Sequence, residues 1–127
     1  MSKTLIVYYS LQGNTKRVAE MISEKIKADI LELKPKANYN FTSAVTLGLA
    51  HIKTKYVIKL EPLYIDLSKY SEIYIGTPVW WYTFAPPIRS FIENNNLKNK
   101  NIRLFSTNRG ANGKTFDDLK DILGDSK

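Results

Sequence analysis

Along the chain the apolar positions change period several times, and each change marks an element. Thr4 to Tyr9 is a continuous run of strand formers without alternation. Such a run predicts a strand covered on both faces, as in a parallel sheet. Ser10 to Thr15 is polar, contains Gly13 and predicts a loop. From Thr15 the period becomes helical, with Val18, Ala19, Ile22 and Ile26 on one stripe and Lys16, Glu20, Glu24 and Lys27 off it. Asn14 is the expected N-cap. Ile30 to Leu33 predicts a short second strand that stops before Pro35.

Val45, Gly48, Leu49 and Ile52 have helical spacing, which predicts a helix near 41–53. Residues 54–71 read as a loop or edge segment leading to Tyr70. Glu72 to Gly76 predicts the third strand and Thr77 to Ala85 a polar and aromatic loop. Pro86 and Pro87 suit the first turn of a helix carrying Ile88, Phe91 and Ile92. Asn101 to Ser106 predicts the fourth strand, and Thr107 to Lys114 a glycine-bearing loop. Thr115 is expected to cap a short helix with Asp117 and Asp118 in its first turn, as the helix dipole favours. Gly124 is the expected stop. The order β-α-β-α-β-α-β-α predicts an α/β fold: one domain over residues 1–127, built on a doubly wound open parallel sheet.

Composition narrows what such a sheet could do. The 127 residues, 43% hydrophobic and 24% charged, describe one globular domain. No apolar run reaches the ~20 residues that span a bilayer, and no signal-peptide pattern opens the sequence. There are no cysteines and one histidine, His51. Thiolate nucleophiles, disulfides, iron–sulfur clusters and multi-histidine metal sites are thereby excluded, and a cytoplasmic location is expected. Lysine and arginine outnumber the acids 19 to 12, a net charge of +7. The excess is spread along the chain with no basic run, so no nucleic-acid partner is expected.

In open parallel sheets ligands sit outside the carboxyl ends of the strands. Three loops leave those ends. Ser10-Leu11-Gln12-Gly13-Asn14-Thr15 leads from a buried strand into a helix and suits a phosphate, with Ser10, Gln12, Asn14 and Thr15 as donors. The same composition equally suits a plain capped turn. It is neither a P-loop nor the dinucleotide Gly-x-Gly-x-x-Gly form. Thr77-Pro78-Val79-Trp80-Trp81-Tyr82-Thr83-Phe84 packs four aromatics into five positions. One tryptophan is expected to face inward and the other to stack on a planar ring. Thr107-Asn108-Arg109-Gly110-Ala111-Asn112-Gly113-Lys114 could approach a polar heterocycle, with Arg109 or Lys114 near an anion, or be a surface turn.

Taken together, these three loops resemble those of the flavodoxin family over essentially the whole chain. The matching residues are Tyr9 to Thr15, Ile75 to Trp81, and Leu104 to Asn108 with Gly113. The resemblance implies bound FMN. Ser10, Leu11, Gln12, Gly13, Asn14 and Thr15 would hold its phosphate. Thr77, Pro78, Val79, Trp80, Trp81 and Tyr82 would flank one side of the isoalloxazine. Thr107, Asn108, Arg109, Gly110 and Gly113 would line the other side. It further implies strand order 2-1-3-4 here, with the family's fifth strand and last helix missing from this chain. The fourth strand would then be an edge open to self-association or a partner.

Departures from the family pattern shape the functional expectation. Gln12 replaces a usual hydroxyl, Thr77 to Phe84 contains no glycine, and the chain is basic where typical members are acidic. An FMN electron carrier with an acidic redox partner is the leading reading, with basic Arg109 raising the flavin potential. An FMN-dependent NAD(P)H:quinone-type oxidoreductase and a flavin-free interaction module are the alternatives.

Overall fold

The computed structural model describes residues 3–11, 13–36, 50–52, 54, 58–62, 65–80, 83–107 and 113–123. Strand β1 (Lys3–Tyr8) leads into α1 (Asn14–Ile26) and β2 (Asp29–Glu32). After a 3-10 turn at Leu67–Lys69 come β3 (Tyr70–Trp80) and β4 (Thr83–Phe84). Helix α2 (Pro86–Asn94), β5 (Asn101–Thr107) and α3 (Thr115–Leu123) complete the described elements. Four strands run parallel in the order β2-β1-β3-β5, with Val7 beside both Leu31 and Ile75, and Ile75 beside Leu104. β5 is the predicted fourth strand, so the doubly wound sheet stands. Among the described residues β5 pairs only with β3.

β4 was not expected. The predicted loop Thr77–Ala85 is a continuation of β3 to Trp80 followed by a return strand, with Val79 paired to Phe84 and Trp80 to Thr83 in antiparallel register. Branched and aromatic side chains favour this pleated pairing, and β4 is too short to show a period of two. Of the predicted helix near 41–53, residues 50–52 are described and are helical; 41–49 and 53 lie outside the described residues, as does Gly124.

Alternation along the strands sends Leu5, Val7, Ile73 and Ile75 to one face of the sheet and Ile6 and Tyr8 to the other. The first face holds the larger core, closed by Ile88, Phe91 and Ile92 of α2 and Leu119 and Leu123 of α3. The second holds a small core with Ala19 of α1, backed by Ile22, Tyr74 and Phe105. The predicted α1 stripe is narrower than expected, because Ile26 is 42% exposed near the helix end. Phe105 lies across Gly76 of the neighbouring strand, where a Cβ would overlap its ring carbons. Glycine is required there by that close approach.

Pro86 and Pro87 open α2 as expected, since the first helical positions need no N–H donor. Lys114, not Thr115, caps α3: its carbonyl accepts the first helical bond, from the Asp118 N–H at 2.8 Å. Thr115 is the first helical residue and is buried. Among the described residues no helix is long and apolar enough to cross a membrane.

Candidate functional site

The carboxyl ends of β1, β3 and β5 carry the three loops to one rim. At the first, the structure moves the helix start by one residue. Gly13, not Asn14, is the N-cap of α1, and it sits at φ 97°, ψ −6°. That left-handed conformation excludes most side chains and selects glycine over the better capping residue. The N–H of Gly13 is taken by Ser10 Oγ at 3.0 Å, which closes the turn. The cap makes no side-chain hydrogen bond to the helix start. The first N–H groups of α1 therefore face out of the helix end, where the macrodipole is positive. No acid stands in this first turn. Lys16 and Arg17 stand there instead, both exposed. The end is a cradle for an anion, and space beside Gly13 is open.

The expected phosphate-loop residues divide by role. Leu11 packs its side chain against the larger core, so only its backbone serves the rim. Thr15 is buried, and its hydroxyl lies 2.8 Å from that of Thr107 at the end of β5. Asn14 is exposed. Gln12 lies outside the described residues.

Thr77 departs from the expectation most. It is wholly buried, and its hydroxyl donates to the Pro78 carbonyl at 2.8 Å and accepts from the Ala85 N–H at 2.9 Å. It ties the base of the β3–β4 hairpin. Pro78 stands beside Thr107 in the ladder. Trp80 is the inward ring: it is half-buried, packs on the larger core and meets Tyr9 edge-on, centroids 5.7 Å apart at 84°. Trp81, Tyr82, Asn108, Arg109 and Gly110 lie outside the described residues. Gly113 takes φ 59° just ahead of α3.

One contact escaped sequence reasoning. Thr83 Oγ1 donates to Asp118 Oδ2 at 2.5 Å, tying β4 to the first turn of α3. Partners 35 residues apart leave no periodic signal, and Asp118 reads from the sequence only as a helix-start charge. His51 lines a cleft of about 180 Å³ beside this contact. Among the described residues no group of three or more His, Asp or Glu could hold a metal ion. Below the rim, on the α1 side, burial first and then Glu32 and Glu20 push the Tyr8 phenol up to about 12.

Comparison with known proteins agrees with this architecture. The family model described as Flavodoxin matches residues 3–126. A structure from Bacteroides eggerthii DSM 20697, provisionally described as a flavoprotein, is 26% identical with a TM-score of 0.90, covering 98% of this chain and 83% of its own. A flavoprotein from Lactobacillus acidophilus NCFM, solved in complex with FMN, is 28% identical with a TM-score of 0.86, covering 98% of this chain and 88% of its own. A curated NAD(P)H dehydrogenase (quinone) from Cupriavidus metallidurans is 26% identical over 93 residues. That match takes in 73% of this chain, which spans about half, 46%, of that relative's length.

Proposed function

The chain belongs to the flavodoxin family, and from that premise we propose that it holds FMN at the three-loop rim and transfers electrons through it. One observation carries the reading: α1 opens on a left-handed glycine with bare amides and two cations, and no acid, in its first turn. Cations at that end oppose the dipole, which makes sense where an anion completes the site. A phosphate supplies that anion, and the L. acidophilus relative was solved with one on its FMN.

FMN supplies one- or two-electron redox chemistry when bound. The protein's part is grip and surroundings. The amides of the α1 start take the phosphate, with Lys16 and Arg17 adding long-range attraction. Ser10 keeps the turn closed and Gly13 lets the backbone come close. Trp80, braced by Tyr9, stiffens the hairpin that flanks the ring, and Thr77 fixes the hairpin's base. Thr107 lines the opposite side and locks it to the phosphate turn through Thr15. A net charge of +7 suits an acidic redox partner.

A visible absorption spectrum of purified protein, with and without added FMN, tests the reading, with titration calorimetry for affinity. A flavin spectrum and saturable uptake are expected. Failure to take up FMN overturns it. A second reading draws on the NAD(P)H dehydrogenase (quinone) relative: hydride from NAD(P)H would pass through the flavin to a quinone. Steady-state NAD(P)H oxidation with FMN and a quinone present separates that enzyme from a carrier.

A further inference from the structure

A strand of two residues paired to a single neighbour has little stability of its own. β4 is such a strand, yet it carries the return arm of the aromatic hairpin. Its end nearest α2 is closed by the Ala85 N–H on Thr77 Oγ1 at 2.9 Å. Its other residue, Thr83, reaches away from β3 to Asp118 on α3 at 2.5 Å. Beside this bond lies the cleft of about 180 Å³, whose lining includes Thr83, Phe84, Asp118 and Asp121. Phe84 shares the larger core with Leu119 and Leu123 of α3, and the hydroxyl–carboxylate bond adds a polar tie at the edge of that apolar contact. Hydrogen bonds to an ionised acceptor are the stronger kind. β4 closes the second loop and α3 follows the third. The bond thus ties the return strand of the hairpin to the helix that follows β5, as Thr15–Thr107 ties α1 to the end of β5.

We propose that Asp118 is a positioning residue: through Thr83 it holds the aromatic hairpin against α3 and so sets the width of the slot for the flavin ring. The inference rests on the FMN reading above. Its effect on the flavin passes through the hairpin.

The test uses Thr83→Val, which removes the donor at constant shape, and Thr83→Ser, which restores it. Asp121→Asn, on the same cleft but outside the bond, is the control. In protein without flavin, amide exchange at Ala85, whose N–H closes the hairpin on Thr77 Oγ1, should accelerate about tenfold in Thr83→Val. Exchange at Ile6 and Ile75 should stay at the wild-type rate, which separates local loosening from global destabilisation. Thr83→Ser and Asp121→Asn should match wild type throughout. Affinities for FMN and for riboflavin should both fall about tenfold in Thr83→Val, leaving their ratio unchanged, because the phosphate grip is untouched. Unchanged hairpin exchange, or a loss confined to FMN, overturns the proposal. A wild-type protein that takes up no FMN overturns the cofactor reading instead, and is told apart because the hairpin exchange still reports the bond.

Discussion

The hydroxyls of Thr15 and Thr107 meet at 2.8 Å although 92 residues separate them in the chain. One stands in the first turn of α1, the other at the last position of β5. Thr15 is 1% exposed, so water cannot replace its partner. The start of α1 and the carboxyl end of β5 are thereby tied to one another.

Replacing either threonine by valine strands the other hydroxyl. Thr107→Val should lower unfolding free energy by about 1–3 kcal/mol, the cost of an unsatisfied buried polar group. The double valine variant should cost less than the two single changes together, because neither hydroxyl is left unpaired. Urea denaturation of the four proteins measures the coupling; strict additivity would show that the bond contributes nothing.

Gly76 and Phe105 predict a steric effect. Gly76→Ala places a methyl group inside the Phe105 ring and should cost about 1–3 kcal/mol as the ring is driven off the strand. A Phe105→Leu background should absorb part of that loss. Thermal or urea unfolding of the single and double variants checks both statements.

The start of α1 predicts effects of opposite sign. Lys16→Glu with Arg17→Glu complements the helix dipole and should stabilise the flavin-free protein by about 0.3–1 kcal/mol per site. The same exchange should weaken FMN binding and leave riboflavin binding almost unchanged, since only FMN carries the phosphate. Salt should weaken wild-type FMN binding more than that of the variant. Calorimetry at two ionic strengths, with melting curves of flavin-free protein, reads both halves.

Alkaline stability should depend on Tyr70. Its phenol donates to Asp29 Oδ2 at 2.7 Å. That bond, then burial, then the Asp29 charge raise it from 10.0 to about 12. A group raised in the folded state lends stability that is full below its unfolded value and is lost as pH climbs toward the folded one. Urea midpoints should therefore fall between pH 10 and 12, and Tyr70→Phe should flatten part of that fall. Tyrosinate absorbance followed over the same range identifies the ionising groups.

The surface pair Arg103–Glu72 should matter little. Nε of Arg103 donates to Glu72 Oε2 at 2.7 Å, and the carboxyl is held below its ordinary range by that bond, with Thr4 adding a second. Arg103 is more than half exposed, so Arg103→Gln should change stability by less than about 1 kcal/mol. A larger change in the urea midpoint would show that the pair is not merely superficial.

The first strand was legible because β1 is buried on both faces from Leu5 to Tyr8, and a strand covered on both faces spells itself as an unbroken apolar run. Pro86 and Pro87 likewise announced α2, since the first helical positions need no N–H donor and the apolar positions after them repeat at helical spacing. The parallel order came from the alternation of elements. What stayed hidden depends on geometry that no local pattern encodes. Asn14 has the better capping propensity, yet the chain turns through φ 97° one residue earlier, where only Gly13 fits without strain. Thr77 is expected to flank the isoalloxazine, but it is wholly buried and its hydroxyl is spent on Ala85 and Pro78. The aromatic segment looks like a binding loop because composition reports ring content, whereas pairing of Val79 with Phe84 is a fact of register. Trp81 and Arg109, both expected at the rim, lie outside the described residues.

β3 does not end where its chemistry begins. The same eleven residues that run through the centre of the sheet continue without a break to Trp80. The outer end of β3, which carries Trp80, is thus rooted in the interior of the sheet. Its ordering entropy is lost when the chain folds, so a ring that came to lie against Trp80 would meet a wall already standing.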